Sequence, residues 1–133
     1  MTKIAMSIGA TLAITCVVAF LVYGGTSALT GLQPPSDASP AEFLVSVLVV
    51  KLGLAVGFVV LYFLARPTWE RHWMRYALVW WGTFAIAEVG QAIGPNYSWT
   101  EAGAGIIAEA IYCPLAAWAT AALLRAPDKA PVA

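Results

Sequence analysis

The sequence predicts an all-α integral membrane protein: four transmembrane helices in an antiparallel bundle, with the N- and C-termini cytoplasmic. Three observations carry this. The 133 residues are 61% hydrophobic and only 11% charged, with a mean hydropathy of +0.79, whereas a water-soluble domain carries roughly 25% charged residues. Four apolar segments run from about Ile4 to Leu29, Phe43 to Ala65, Tyr76 to Ile93 and Ala102 to Leu124, each near the ~20 residues that cross ~30 Å of hydrocarbon as a helix. Six of the seven basic residues (Lys3, Arg66, Arg71, Arg75, Arg125 and Lys129) fall at the N-terminus, the connector between the second and third segments, or the C-terminus. In a four-pass chain these lie on one side, which the positive-inside rule assigns to the cytoplasm. A bacterial inner membrane suits that bias best. Residues 1–133 read as a single domain, because almost nothing outside the segments is left to form another.

The first segment follows a short basic start and ends near Thr26-Ser27-Ala28, small residues of the kind found at signal-peptide cleavage sites. Its apolar part exceeds the ~7–15 residues of a signal core, which predicts a retained helix. Thr30 to Pro40, with Pro34-Pro35, Ser36, Asp37 and Ser39, lacks apolar periodicity and reads as an extended loop. Ser39-Pro40-Ala41-Glu42 then starts the second helix: Ser at the N-cap, Pro at the first position, Glu three residues after the cap. Gly53-x-x-x-Gly57 in that helix is a spacing that permits close helix approach.

Arg66 to Arg75 combines three arginines with Trp69 and Trp73, the composition of a membrane interface. His72, the only histidine, lies there as a solvated or headgroup-facing imidazole with no second histidine or cysteine nearby. The turn Pro95 to Glu101 repeats the capping-box spacing at Ser98 and Glu101. Pro114 is expected to kink the fourth helix and free a carbonyl near Ala110, and the tail from Arg125 to Ala133 is expected to fray.

The composition removes several classes of function. Zero net charge provides no field for nucleic acid. Cys16 and Cys113 lie in separate apolar segments, without the spacing of a redox or metal motif. No cofactor is expected: one histidine cannot supply the two imidazoles of a haem b site, and Gly24-Gly25 and Gly103-Ala104-Gly105 lack the strand–loop–helix context of nucleotide binding.

The residues that need explaining are ionisable groups inside apolar runs, where an unpaired charge is costly. Counted from the non-cytoplasmic ends at ~1.5 Å per residue, Lys51 lies roughly 13 Å deep, Glu88 roughly 10 Å and Glu109 roughly 12 Å. They come from three different helices and share one level. Trp81, Phe84, Glu88 and Gln91 fall on one face of the third helix; Gly105, Glu109, Tyr112 and Cys113 on one face of the fourth. Two carboxyls against one ammonium leave one acid unmatched, which must hold a proton or meet water or a ligand.

Glu88 and Glu109 are therefore the candidate acid/base or proton-carrying residues, and Lys51, Gln91, Tyr112 and Trp81 the candidate ligand-binding residues. An ion pair of Lys51 with either glutamate, serving only to fix helix register, is the plain structural alternative. Trp80, Trp81 and Trp118, deeper toward the cytoplasm, suit bundle packing or a lipid-facing position better than a ligand box. Three functional classes follow. The first binds or transports a small or amphiphilic ligand with proton coupling, as a homo-oligomer associating through the Gly53/Gly57 or Gly90/Gly94 faces. The second is an accessory subunit of a larger membrane complex. The third is an intramembrane enzyme using the paired glutamates on a lipophilic substrate.

Overall fold

The computed structural model describes residues 1–32 and 39–125. Of the expected Thr30–Pro40 linker, residues 33–38 lie outside the described residues, as do residues 126–133 of the expected Arg125–Ala133 tail, Lys129 among them. Five helices follow in order: α1 (Thr2–Thr30), α2 (Pro40–Leu64), α3 (Arg66–Trp69), α4 (Trp73–Ile93) and α5 (Trp99–Leu124). No strand occurs among the described residues.

By length and composition, α1, α2 and α5 are long and apolar enough to cross a membrane. Helix α4 has 21 residues, or ~31 Å at 1.5 Å per residue. Its length therefore suffices, but Arg75, Glu88, Gln91 and its tryptophans dilute its apolar character.

The helix ends follow local chemistry. At α2, Ser39 Oγ accepts from the Glu42 N–H at 3.2 Å while Glu42 Oε2 accepts from the Ser39 N–H at 3.1 Å, with Pro40 in the first turn. Helix α5 repeats the device with Ser98 and Glu101, at 3.2 and 2.7 Å. These reciprocal bonds satisfy amide groups that have no partner inside the helix. Helix α1 stops at Gly31, whose φ of 72° is left-handed and whose N–H bonds to the Ser27 carbonyl. Helix α5 continues through Pro114 to Leu124.

Helix α5 is the axis of the molecule, packed between α1 on one side and α4 on the other. Its buried Ala102, Ala104, Gly105, Ala108, Ala116 and Ala117 are small, so both neighbours approach closely. Helix α1 runs antiparallel to it: Lys3 Nζ donates to the Arg125 carbonyl at 3.2 Å, and farther along Thr11 and Thr120 share a buried hydroxyl hydrogen bond of 3.3 Å. Ser7, Thr11 and Thr15, four residues apart, form the fully buried stripe of α1. The hydroxyls of Ser7 and Thr15 satisfy themselves on backbone carbonyls of their own helix.

Helix α2 packs along α1 and is held at its second half by aromatic contacts to α4. Phe58 and Tyr62 meet Tyr76 edge-on at centroid distances of 4.8 and 5.1 Å, and Phe58 also lies 5.4 Å from Trp80. The Tyr76 hydroxyl donates to the Phe58 carbonyl. The first half of α2 is bare by comparison: within residues 41–50 only Val47 is even partly buried, whereas Ala55, Phe58, Val59 and Tyr62 are buried. Large apolar side chains cover the outside, among them Phe20, Leu21, Leu44, Val49, Leu64 and Ile86, as expected of a surface facing hydrocarbon rather than water.

Candidate functional site

Helices α4 and α5 meet most intimately at Glu88 and Gly105. A Cβ built on Gly105 would stand 2.5 Å from Glu88 Cδ and 2.7 and 2.8 Å from its two oxygens. The carboxylate therefore occupies the space that any other residue at 105 would fill. At most other glycines of the chain, Gly103 among them, an added Cβ would meet nothing within 4 Å.

One Glu88 oxygen is bound from the loop between α4 and α5. The Tyr97 hydroxyl donates to Glu88 Oε2 at 2.6 Å, and the Tyr23 and Tyr97 hydroxyls stand 3.2 Å apart. A tyrosine has one proton to give. With the Tyr97 proton committed to the carboxylate, Tyr23 donates to Tyr97, and the order is Tyr23 to Tyr97 to Glu88. Three elements, α1, the α4–α5 loop and α4, are tied together by that chain. Tyr97 lies outside the helices, and burial, followed by its bonds to Glu88 and Tyr23, pushes its phenol well above the usual tyrosine value.

Glu109 sits one turn beyond Gly105 on α5. It is 7% exposed, and its Oε2 is buried with no hydrogen-bond partner among the described residues. Glu88 packs on Gly105, one turn before it, and Tyr112, three residues after it, carries the Lys51 ammonium on its ring. Lys51 does not pair with Glu109: the only ion pair among the described residues joins Arg66 to Glu70 at 3.2 Å on the connector. The Lys51 ammonium instead stands over the Tyr112 ring, 4.9 Å from its centroid, a cation–π geometry. Tyr112 lies three residues after Glu109 on α5, so the base and the orphaned acid flank one turn of one helix. Lys51 is half-buried and occupies the point where α2 leaves the bundle.

The structure thus spreads Glu88, Glu109, Tyr112 and Lys51 along about two turns of α5, with Glu88 against Gly105 and Lys51 over the Tyr112 ring. The register-fixing ion pair is not formed. Trp81 adjoins the group as a packing residue, its indole N–H donating to the Ile106 carbonyl at 3.3 Å. Gln91 is exposed and stands apart from the others. Trp80 belongs to the aromatic cluster with Phe58, Tyr76 and Phe84. Among the described residues no three His, Cys, Asp or Glu side chains converge as a metal site would require.

Sequence reading missed Tyr23 and Tyr97. Tyr23 had a signal: it lies eight residues before Gly31, roughly 12 Å from the same end as the other three groups. Tyr97 had none, since only the fold of the loop turns its hydroxyl back onto Glu88.

What this cluster supplies chemically is two carboxyls, one held by a phenol and one without a hydrogen-bond partner for its buried oxygen among the described residues, beside an ammonium engaged with an aromatic face. No protein-family model matches the chain, and neither a curated protein nor a solved structure is similar to it.

Proposed function

We propose that the protein binds, and moves across a bilayer, a small or amphiphilic ligand in exchange for a proton, at the site formed by Glu88, Glu109, Lys51 and Tyr112. In this reading all four long helices span the membrane with both termini cytoplasmic, and the membrane is a bacterial inner one. The observation that carries it is the Glu109 carboxyl, buried with an oxygen that no group among the described residues satisfies. A buried carboxyl is tolerated in a low-dielectric interior when it is neutral or when its charge is met by a partner. Lys51 is committed to the Tyr112 ring, which leaves a proton or a ligand as the two ways to complete Glu109. Replacing one by the other is proton-coupled binding.

The Tyr23–Tyr97 chain gives the two acids different work. Glu88 is fixed by a phenol and by the close face of Gly105, so it holds position; Glu109 is unrestrained by partners, so it exchanges. Access is supported by the bare first half of α2, which opens the bundle beside Lys51.

The same bare face favours one second reading, in which α2 docks against a further copy or a larger membrane complex. Four helices are few to enclose a pathway, so a homo-oligomer also serves the first reading.

The test is reconstitution in liposomes enclosing a pH-sensitive dye, exposed to a panel of cationic, anionic and neutral amphiphiles. At least one solute is expected to drive a change of internal pH with the native chain and none with Glu109→Gln, while the thermal unfolding midpoint of that variant stays close to the native value. Solute-driven proton movement that survives Glu109→Gln overturns the proposal. Native protein that responds to no solute, yet co-purifies with larger subunits, establishes the accessory reading instead.

A further inference from the structure

Beyond that reading, we propose that the groove between α2 and α4 at the connector end holds an acyl chain of an anionic phospholipid, with the headgroup at Arg71 and Arg75. The groove is open, about 340 Å³, and lined by Leu61, Trp69, Tyr76, Val79, Trp80 and Thr83, almost wholly through apolar atoms. From Tyr76 to Thr83 it follows α4 for ~10 Å. It starts beneath the connector, where Trp69 contributes to its wall. Its shape and lining suit a hydrocarbon chain and give a soluble anion nothing to bind.

The headgroup class follows from charge. The one acid of the connector, Glu70, is already paired with Arg66 at 3.2 Å. Arg71, His72 and Arg75 are exposed and lack an acidic partner among the described residues. Lys3 and Arg125 lie together at one end of the α1–α5 pair, the end to which Tyr62, Tyr76 and Leu124 also belong through the shared core. Arg75 precedes Tyr76 and lies one turn before Val79 on α4, so it continues the groove's edge toward the connector that carries Arg71. Basic residues beside a membrane surface favour anionic lipid by about 1 kcal/mol each, a selection that a zwitterionic headgroup does not receive.

The experiment uses the full chain in detergent, with dioleoyl phosphatidylglycerol and dioleoyl phosphatidylcholine as probes, and native mass spectrometry and the unfolding midpoint as readouts. Phosphatidylglycerol is expected to bind about thirtyfold more tightly than phosphatidylcholine, about fivefold for each of the two arginines, and to raise the midpoint. Filling the groove with Val79→Trp removes both effects; Arg71→Gln together with Arg75→Gln reduces phosphatidylglycerol to the phosphatidylcholine level with the groove intact. Equal binding of the two lipids by the native chain, or undiminished phosphatidylglycerol binding by Val79→Trp, overturns the proposal.

Should Val79→Trp fail to fold, a trace of chain-brominated phosphatidylglycerol in excess phosphatidylcholine replaces it. Tryptophan quenching is expected in the native chain and is largely lost when Trp69 and Trp80 are both changed to Phe. Quenching of the same depth in that double variant counts against the groove as decisively as equal lipid affinities.

Discussion

The Tyr97 hydroxyl donates to Glu88 Oε2 at 2.6 Å, so the loop that joins α4 to α5 is latched onto the acid it encloses. A hydrogen bond to a charged group contributes ~1.5–3 kcal/mol, and because Tyr97 is only partly buried, Tyr97→Phe is expected to cost about 1.5 kcal/mol, the low end of that range. Tyr23→Phe removes only the longer phenol–phenol bond of 3.2 Å and should cost less, within ~0.5–1.5 kcal/mol. The double variant should fall short of the sum, since Tyr23 has nothing to bond once Tyr97 has lost its oxygen. Denaturation of the four proteins in one detergent measures the coupling; strict additivity would show that no Tyr23–Tyr97–Glu88 chain exists.

The same tyrosine makes a prediction about alkali. Burial, and then its bonds to Glu88 and Tyr23, raise the Tyr97 phenol in the folded protein above the usual value near 10. The unfolded chain therefore releases this proton first. Above about pH 10 the unfolded state binds fewer protons than the folded one, and stability falls as pH rises; below that value the contribution is fully present. Unfolding midpoints measured on either side of about pH 10 should fall less steeply for Tyr97→Phe than for the native chain.

Gly105 and Gly103 form a matched pair of controls two residues apart on α5. Alanine at 105 places a Cβ 2.5 Å from Glu88 Cδ, whereas at 103 it meets nothing within 4 Å. The Glu88 carboxylate is the far end of a flexible side chain and will swing aside, abandoning the Tyr97 hydroxyl. Alanine also gains about 1 kcal/mol of helix propensity over glycine, which offsets part of the strain. Gly105→Ala is thus expected to fold with stability within ~2 kcal/mol of native, yet to lose proton-coupled uptake as fully as Glu88→Gln does. Gly103→Ala should be neutral or stabilising and fully active.

Across the α1–α5 interface, the buried Thr11–Thr120 pair at 3.3 Å predicts an asymmetry between single and double replacement. Either Thr→Val change alone leaves one buried hydroxyl to find another acceptor, at ~0.6–1.7 kcal/mol for a hydrogen bond between membrane helices. Changing both removes the orphan along with the bond, and shape is conserved, so the double variant should be more stable than the sum of the singles implies. Chemical denaturation of the three variants is sufficient to measure this.

What the sequence made legible was depth; what it withheld was azimuth. Helix starts were readable where chemistry marks them. Ser39 and Ser98, each with Glu three residues on, place α2 and α5 from residues 40 and 99, within three residues of where the apolar runs begin. The start of α4 at Trp73 rather than Tyr76 was obscured, because Arg75 and the connector tryptophans break the apolar run before the helix ends. Glu88, Glu109 and Lys51 fall within about two turns of α5, between Gly105 and Tyr112. Rotation about each axis is decided by packing between helices, so the sequence could not show that Lys51 turns to the Tyr112 ring, or that Gln91, one turn from Glu88, is left on the exposed side.

That turn of Lys51 makes the cluster testable as a unit. Lys51 stands over Tyr112, three residues after Glu109 on α5, so removing the base alone leaves two acids without a nearby positive charge. The Tyr112 contact is also lost, worth ~0.5–2 kcal/mol depending on how far the ammonium is desolvated. Lys51→Met is therefore expected to lower stability by about 2 kcal/mol, the upper end of that contact. Adding Glu109→Gln to it removes one of the stranded acids and should restore part of the loss, so the double variant is more stable than Lys51→Met. A double-mutant cycle by chemical denaturation in one detergent measures the coupling. Losses that simply add would mean that Lys51 serves Tyr112 alone, and that the orphaned Glu109 oxygen is answered from outside this chain.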